Sequence, residues 1–91
     1  MVSNDGLTLY VTNYNENGNN SIVNPINYIS VFDISNINTP TFLYKIIGAN
    51  LSKPRALGFD SNADNVLVIG NFESDTLYSC DLTQYINTAL I

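Results

Sequence analysis

The sequence predicts an all-β fold, arranged as an antiparallel meander of short strands. Apolar and polar side chains alternate in several segments rich in β-branched and aromatic residues, which is the period of a strand. No segment has convincing helical periodicity. The segment 9–13 (LYVTN) also returns, altered, as 67–71 (LVIGN), fifty-eight residues later. Together these observations favour a repeated β-sheet unit.

The first half of the chain contains three predicted strands. Side chains alternate over residues 7–12, which form the first strand. Residues 13–27 are crowded with Asn and Gly and contain Pro25, the composition of a long irregular connection. The second and third strands follow at 28–34 and 41–47, separated by turn residues.

The second half repeats this pattern with shorter connections. A loop through residues 53–55 leads to the fourth predicted strand, 56–59. The fifth and sixth strands are predicted at 65–70 and 76–82, with turn residues between them. The tail that ends at Ile91 is expected to begin a seventh strand.

An internal repeat relates the two halves. Residues 1–14 align without gaps on 59–72, with four identities, at an offset of 58. The next strand repeats at an offset of 48, which superposes Asp33 on Asp81. The difference of ten residues indicates an insertion in the connection 13–27.

The repeat resembles a known family. A period in the high forties, made of about four short strands, is typical of one blade of a β-propeller. The segments 9–13 (LYVTN), 29–33 (ISVFD) and 54–59 (PRALGF) resemble the YVTN β-propeller repeat, and the resemblance covers most of residues 3–82. The second copy has VIGN at 68–71 in place of the full motif.

The resemblance implies one partial propeller module over residues 1–91. Blade one would have its strands within 7–47 and blade two within 54–91, and blade one would lack its innermost strand before Met1. Propellers hold about four to eight blades, so two blades leave apolar faces and sheet edges uncovered. The expected partner is therefore the chain itself, as a homo-oligomer that closes a propeller, or the remainder of a longer propeller.

Charge and composition exclude several classes of partner. The net charge is −5 and only Lys45, Lys53 and Arg55 are basic, which argues against nucleic acid. No stretch approaches eighteen apolar residues, so no membrane span is predicted. No signal peptide is visible, and the compartment stays open, although the YVTN resemblance favours extracellular or cell-surface use.

A candidate contact surface follows from the meander. Three connections, 13–27, 48–55 and 71–75, should emerge on the same side of the sheets, which we call the loop face. Four residues on this face are the candidate partner-binding residues: Lys53, Arg55, Tyr14 and Asn71. Solvated loops without a ligand are an equally good interpretation.

Metal and cofactor signals are weak. Asn13, Asn15 and Asn17 precede Gly18 at the spacing of the first half of a calcium loop. Asn24 stands where the closing Glu is needed, so no metal is predicted, and no cofactor motif is present.

Other reactive residue types have structural interpretations. The tyrosines could stack on sugar rings, but strand tyrosines more often pack between sheets. Asp33 and Asp81 are expected to accept hydrogen bonds from turn amides, and Cys80 to be a small core or edge residue. The chain has no His, and therefore no Ser-His or Cys-His pair.

The predicted function is that of a non-enzymatic binding or structural propeller module, acting through protein and less plausibly carbohydrate contacts on the loop face. The alternative is a lactonase-like propeller enzyme or its inactive remnant, since the repeats of such enzymes look similar. The single Arg and the absence of His count against the alternative.

Overall fold

The computed structural model of the chain describes residues 1–15, 26–48, 50–60 and 63–84. Six strands lie in this part, and they form two three-stranded antiparallel sheets, β1-β2-β3 and β4-β5-β6. The strands are β1 (Thr8–Asn13), β2 (Tyr28–Asp33), β3 (Thr41–Ile46), β4 (Pro54–Asp60), β5 (Ala63–Asn71) and β6 (Thr76–Asp81). The all-β, antiparallel meander is confirmed. The expected seventh strand lies outside the described residues.

Each strand begins and ends within two residues of its predicted bounds. The start of β4 illustrates the cause of one such difference. The strand begins at Pro54, two residues before the predicted start. Proline has no backbone N–H, but at the first position of an edge strand none is needed. Lys53 turns the chain into the strand at φ 49°. The register of β4 with β5 then shifts at an irregularity between Pro54 and Ala56.

The two sheets repeat the same pairing. In the first sheet Thr8 lies opposite Asp33 and Asn13 lies opposite Tyr28, with four further pairs between them. In the second sheet Val66 lies opposite Asp81 and Asn71 lies opposite Thr76, again with four pairs between them. All six pairs coincide when the first strand is advanced by 58 residues and the second by 48. Residues matched by the sequence repeat therefore occupy equivalent positions in the two sheets.

Equivalent positions define two faces on each sheet. One face of each sheet is called the front. It carries Leu9, Val11 and Phe32 in the first sheet and Leu67, Ile69 and Cys80 in the second. The opposite face, the back, carries Tyr10, Ile29 and Val31 in the first sheet and Val68, Leu77 and Ser79 in the second. Because side chains alternate along a strand, each residue belongs to one face only.

The core lies between the back of the first sheet and the front of the second. Its buried apolar residues are Tyr10, Ile29, Val31, Ile46, Leu51, Leu67, Ile69, Cys80 and Leu82. The Tyr10 and Phe59 rings meet edge to face across this boundary, with centroids 5.6 Å apart. Full burial of one such aliphatic side chain is worth about 1.5–3 kcal/mol. The sheets therefore stack with the same face pointing in the same direction.

The N-terminal residues supply a short fourth strand position in the first sheet. The backbone N–H of Tyr10 donates to the Met1 carbonyl at 2.8 Å, and that of Ser3 donates to the Thr8 carbonyl at 2.8 Å. Gly6, at φ 76°, allows the tight reversal between them. In the second sheet β4 runs along the corresponding edge of β5. Residues 1–3 thus lie along this edge of β1 through an isolated bridge, with Val2 opposite Leu9.

Candidate functional site

The structure brings two of the predicted connections together on the loop face. The backbone N–H of Phe72 donates to the Lys53 carbonyl at 3.0 Å, and that of Glu73 donates to the Ser52 carbonyl at 3.3 Å. The turn after β5 is therefore hydrogen-bonded to the loop that precedes β4. The end of the long first connection joins them, because the backbone N–H of Lys53 donates to Asn27 Oδ1 at 3.3 Å.

Asn71 is buried and hydrogen-bonded to the loop that precedes β4. Only 4% of this residue is exposed. Its Nδ2 donates to the Asn50 carbonyl at 2.8 Å, and its Oδ1 accepts from the backbone N–H of Ser52 at 3.0 Å. A buried amide satisfied on both sides is costly to replace. Asn71, predicted as a contact residue, thus holds the loop that leads to Lys53. Arg55, expected in the connection 48–55, lies in β4, because this strand already begins at Pro54.

Lys53 and Arg55 each have a neighbour within the turn. Lys53 Nζ lies 3.4 Å from Glu73 Oε2, an exposed ion pair of the kind worth about 0–1 kcal/mol. The Arg55 guanidinium lies over the Phe72 ring, 4.7 Å from its centroid. Stacking of this kind is worth about 0.5–1 kcal/mol at an exposed site. The loop face therefore presents an arginine stacked on an exposed aromatic ring.

Phe72 was missed as a candidate, although the repeat contains the signal for it. The alignment places Phe72 on Tyr14, so each sheet carries an aromatic residue directly after the Asn that ends its strand. Both aromatic side chains are exposed. Composition alone does not distinguish these two aromatics from the tyrosines that pack in the core.

Tyr14 lines a cleft at the end of the first sheet, of about 470 Å³, with Thr12, Asn13, Asn15, Ile26 and Tyr28. A second cleft, of about 320 Å³, lies where the first strands of the two sheets meet, and Arg55 lines it together with Tyr10 and Leu57. The four predicted contact residues therefore lie in different places. Lys53 and Arg55 contact the turn after β5, and Arg55 also lines the second cleft. Tyr14 lines the first cleft, and Asn71 is buried.

Asn13, the first residue of the calcium-like segment, makes hydrogen bonds within the first sheet. Asn13 Nδ2 donates to the Val11 carbonyl at 2.9 Å and to Ser30 Oγ at 3.0 Å, so this amide ties β1 to β2. Asn17 lies outside the described residues. In the described ranges, no three His, Cys, Asp or Glu side chains are grouped so as to hold a metal ion.

Asp33 and Asp81 accept turn hydrogen bonds, as the sequence predicted. Asp33 Oδ1 accepts from the backbone N–H of Ser35 at 2.8 Å. Asp81 Oδ1 accepts from the hydroxyl of Thr83 at 2.7 Å and from its backbone N–H at 2.9 Å. These bonds lower the pKa of both carboxyls, chiefly through the backbone N–H for Asp33 and through the hydroxyl for Asp81. The two carboxylates are turn caps at equivalent strand ends.

The packing interpretation also holds for Cys80 and for three of the tyrosines. Cys80 is buried in the core. Tyr10 is buried there too, and Tyr44 and Tyr78 pack against the same cluster. Burial raises the pKa of the Tyr10 hydroxyl, because the charged form loses its hydration. Tyr85 lies outside the described residues.

The fold and the site define an all-β protein of two equivalent, stacked antiparallel sheets with an arginine–aromatic loop face. Comparison with known proteins finds no matching family model, no similar curated protein and no similar solved structure. Within the described residues, no helix has the length and apolar character needed to cross a membrane.

Proposed function

We propose that this chain is a non-enzymatic binding or structural module, formed by about two blades of a YVTN-type β-propeller, that acts through protein contacts. Its partner in this proposal is another copy of the chain or the remainder of a longer propeller. The observation that carries the proposal is the stacking of two equivalent sheets in one direction, back against front. Such a stack can be extended at either end by a further sheet of the same kind.

The two outer faces of the stack support this proposal. The front of the first sheet exposes Val11 and Phe42, and the back of the second sheet exposes Leu77. Apolar surface left in water costs about 25 cal/mol per Å² relative to burial. Contiguous apolar patches on small proteins commonly mark interaction sites.

The loop face offers a second contact surface. Arg55 stacked on Phe72 combines two residue types that are enriched where proteins meet. Protein is favoured over carbohydrate as the ligand, because three tyrosines, Tyr10, Tyr44 and Tyr78, belong to the core, whereas Tyr14 and Tyr28 line the first cleft.

The lactonase-like alternative has less support. The two carboxylates that the repeat places at equivalent positions, Asp33 and Asp81, each cap a turn at the end of a strand. Arg55 is stacked on Phe72. Asp81 lies opposite Val66 and Arg55 follows Pro54, which lies opposite Asn71, so these two residues lie at opposite ends of β5. In a hydrolase the acid, base and cation would lie together.

The molar mass of the purified, untagged chain tests the proposal. Light scattering over a range of concentrations should give a discrete multiple of the 10.0-kDa chain. A chain that stays monomeric at every concentration would contradict self-assembly and leave the longer propeller as its partner. Hydrolysis of a simple lactone above the buffer rate, with added Ca²⁺ or Zn²⁺, would contradict the non-enzymatic assignment.

A further inference from the structure

Repeat-equivalent residues differ in exposure at the two ends of the stack. Ile29, on the back of the first sheet, is 0% exposed, whereas its equivalent Leu77, on the back of the second sheet, is 79% exposed. Ile69, on the front of the second sheet, is 0% exposed, whereas its equivalent Val11, on the front of the first sheet, is 37% exposed. Each apolar position is buried where the neighbouring sheet covers it, and exposed where no described strand does.

We propose that a second copy of this chain packs the front of its first sheet on the back of the second sheet of the first copy. The contact would repeat, between chains, the back-to-front interface that the two sheets make within one chain. This inference rests on the proposed function as a self-assembling module, and it adds the two faces involved and the polarity of the assembly.

The front of the first sheet has the chemistry of a buried face. Leu7, Leu9 and Val11 succeed one another on this side of β1 and the residues before it. Phe32 lies opposite Leu9 and Phe42 lies opposite Phe32. The two phenylalanine rings meet edge to face, with centroids 5.7 Å apart. An aromatic pair of this kind supplies a large apolar area for an interface.

The back of the second sheet carries small residues beside one exposed leucine. Its middle contains Ala56, Gly70 and Leu77 side by side across the three strands. A Cβ at Gly70 would lie 3.1 Å from the Ala56 Cβ, so this row is closely spaced. Val66 and Val68 continue the apolar surface along β5. Large side chains on one face and small ones on the other allow close packing.

The polarity follows from the equivalence of the faces. Front meets back inside the chain, so front should meet back between chains, which is a heterologous contact. A heterologous contact leaves one free front and one free back at the ends of every open assembly. Such an assembly grows by addition until it closes into a ring, or it continues as a filament.

Single-face variants test the polarity. Phe42→Glu places a charge on the front and Leu77→Glu places one on the back, at positions that are 50% and 79% exposed in one chain. Ile37→Glu is the matched control, because Ile37 is 70% exposed in the turn between β2 and β3 and belongs to neither face. Circular dichroism would check that each variant keeps its strand content, and light scattering would give its mass.

We expect the wild type and Ile37→Glu to assemble, and Phe42→Glu and Leu77→Glu each to remain monomeric alone. Mixed in equal amounts, the two blocked variants should form a dimer of twice the 10.0-kDa chain mass, because one retains a free back and the other a free front. A dimer formed by either blocked variant alone, or no dimer in the mixture, would overturn the inference while self-assembly of the wild type stands. A monomeric wild type would overturn both this inference and the self-assembly of the chain.

Discussion

Asn71 and Asn13 illustrate how one sequence position acquires two roles. Asn13 ends β1 and Asn71 ends β5, and the alignment superposes them. Asn13 joins β1 to Ser30 of β2, whereas Asn71 reaches the loop before β4 and holds the Asn50 carbonyl. Residues 1–3 lie at the corresponding edge of the first sheet, and the hydrogen bonds described for Asn13 run within that sheet, to Val11 and Ser30. The same residue therefore ties strands in one repeat and anchors the loop face in the other.

Replacing Asn71 by Ala should cost about 1–3 kcal/mol of unfolding free energy, because the Asn50 carbonyl and the Ser52 N–H lose their buried partner. Asn13→Ala is the matched control and should cost about 0.5–1.5 kcal/mol, since its bonds are more exposed. Urea denaturation followed by circular dichroism measures both. Equal losses for the two variants would argue against the anchoring role of Asn71.

Asp81 and Asp33 predict a measurable difference in acid titration. The Thr83 hydroxyl is the largest cause of the lowered pKa of Asp81, whereas the backbone N–H of Ser35 is the largest cause for Asp33. Thr83→Ala should therefore raise the pKa of Asp81 more than Ser35→Ala raises that of Asp33. Carboxyl NMR titration measures both values, and the unmodified aspartate in each variant is the control.

The lowered pKa of Asp81 also predicts how the stability of the chain changes with pH. Because the folded pKa of Asp81 lies below its ordinary value of 3.8, its contribution to stability is present above that value and is lost as the pH falls through the folded pKa. Asp81→Asn should remove that part of the acid dependence, and it should make the chain less stable than the wild type by a constant amount across the neutral-to-alkaline range. An unaltered acid transition in this variant would contradict the turn-capping role.

At the scale of elements, the sequence predicted the strands well and the loop contacts poorly. Alternation located the six strands because a half-buried strand leaves a period of two in the chain. The repeat offsets of 58 and 48 carry the pairing of β1 with β2 onto that of β5 with β6, but the register itself came from the structure. The bonds from Asn71 to residues 50 and 52 could not be predicted, since Asn is equally common in solvated turns.

Two glycines in the second sheet should respond differently to the addition of a methyl group. A Cβ at Gly58 meets no atom within 4 Å, so Gly58→Ala should stabilise the chain by about 0.5–1 kcal/mol through the loss of backbone freedom in the unfolded state. A Cβ at Gly70 would lie 3.1 Å from the Ala56 Cβ, so Gly70→Ala should lack this gain. Thermal or urea denaturation measures the stability of both variants. An equal gain in both would mean that β4 can move enough to accommodate a methyl group beside Ala56.

At the scale of the whole molecule, the sequence repeat predicted two equivalent sheets, but only the structure shows which face of each sheet packs against the other. The alignment superposed Leu9 on Leu67 and Val11 on Ile69, and it could not say which of each pair is buried. Burial depends on which neighbour covers a face, and that is a tertiary property. In the described part of the chain, the core covers the back of the first sheet and the front of the second, in line with the expectation that two blades leave apolar faces uncovered.

The coupling between Tyr10 and Phe59 tests whether the two sheets form one cooperative unit. The rings meet edge to face at 5.6 Å across the boundary between the sheets. In a double-mutant cycle with Tyr10→Leu and Phe59→Leu, the coupling should be about 0.5–1.5 kcal/mol, because an aromatic pair is worth that much beyond its buried area. Urea unfolding of the wild type, both single variants and the double variant gives the value.

The Phe32–Phe42 pair supplies the control for that cycle. Its rings have nearly the same geometry, with centroids 5.7 Å apart, but both lie on the front of the first sheet. A coupling there stabilises one sheet without joining it to the other. If the sheets unfold together, the Tyr10–Phe59 cycle should give a single transition in all four proteins and a coupling of the expected size. Two separate transitions, or a coupling of zero, would mean that each sheet folds by itself and that the internal interface is too weak to serve as the template for one between chains.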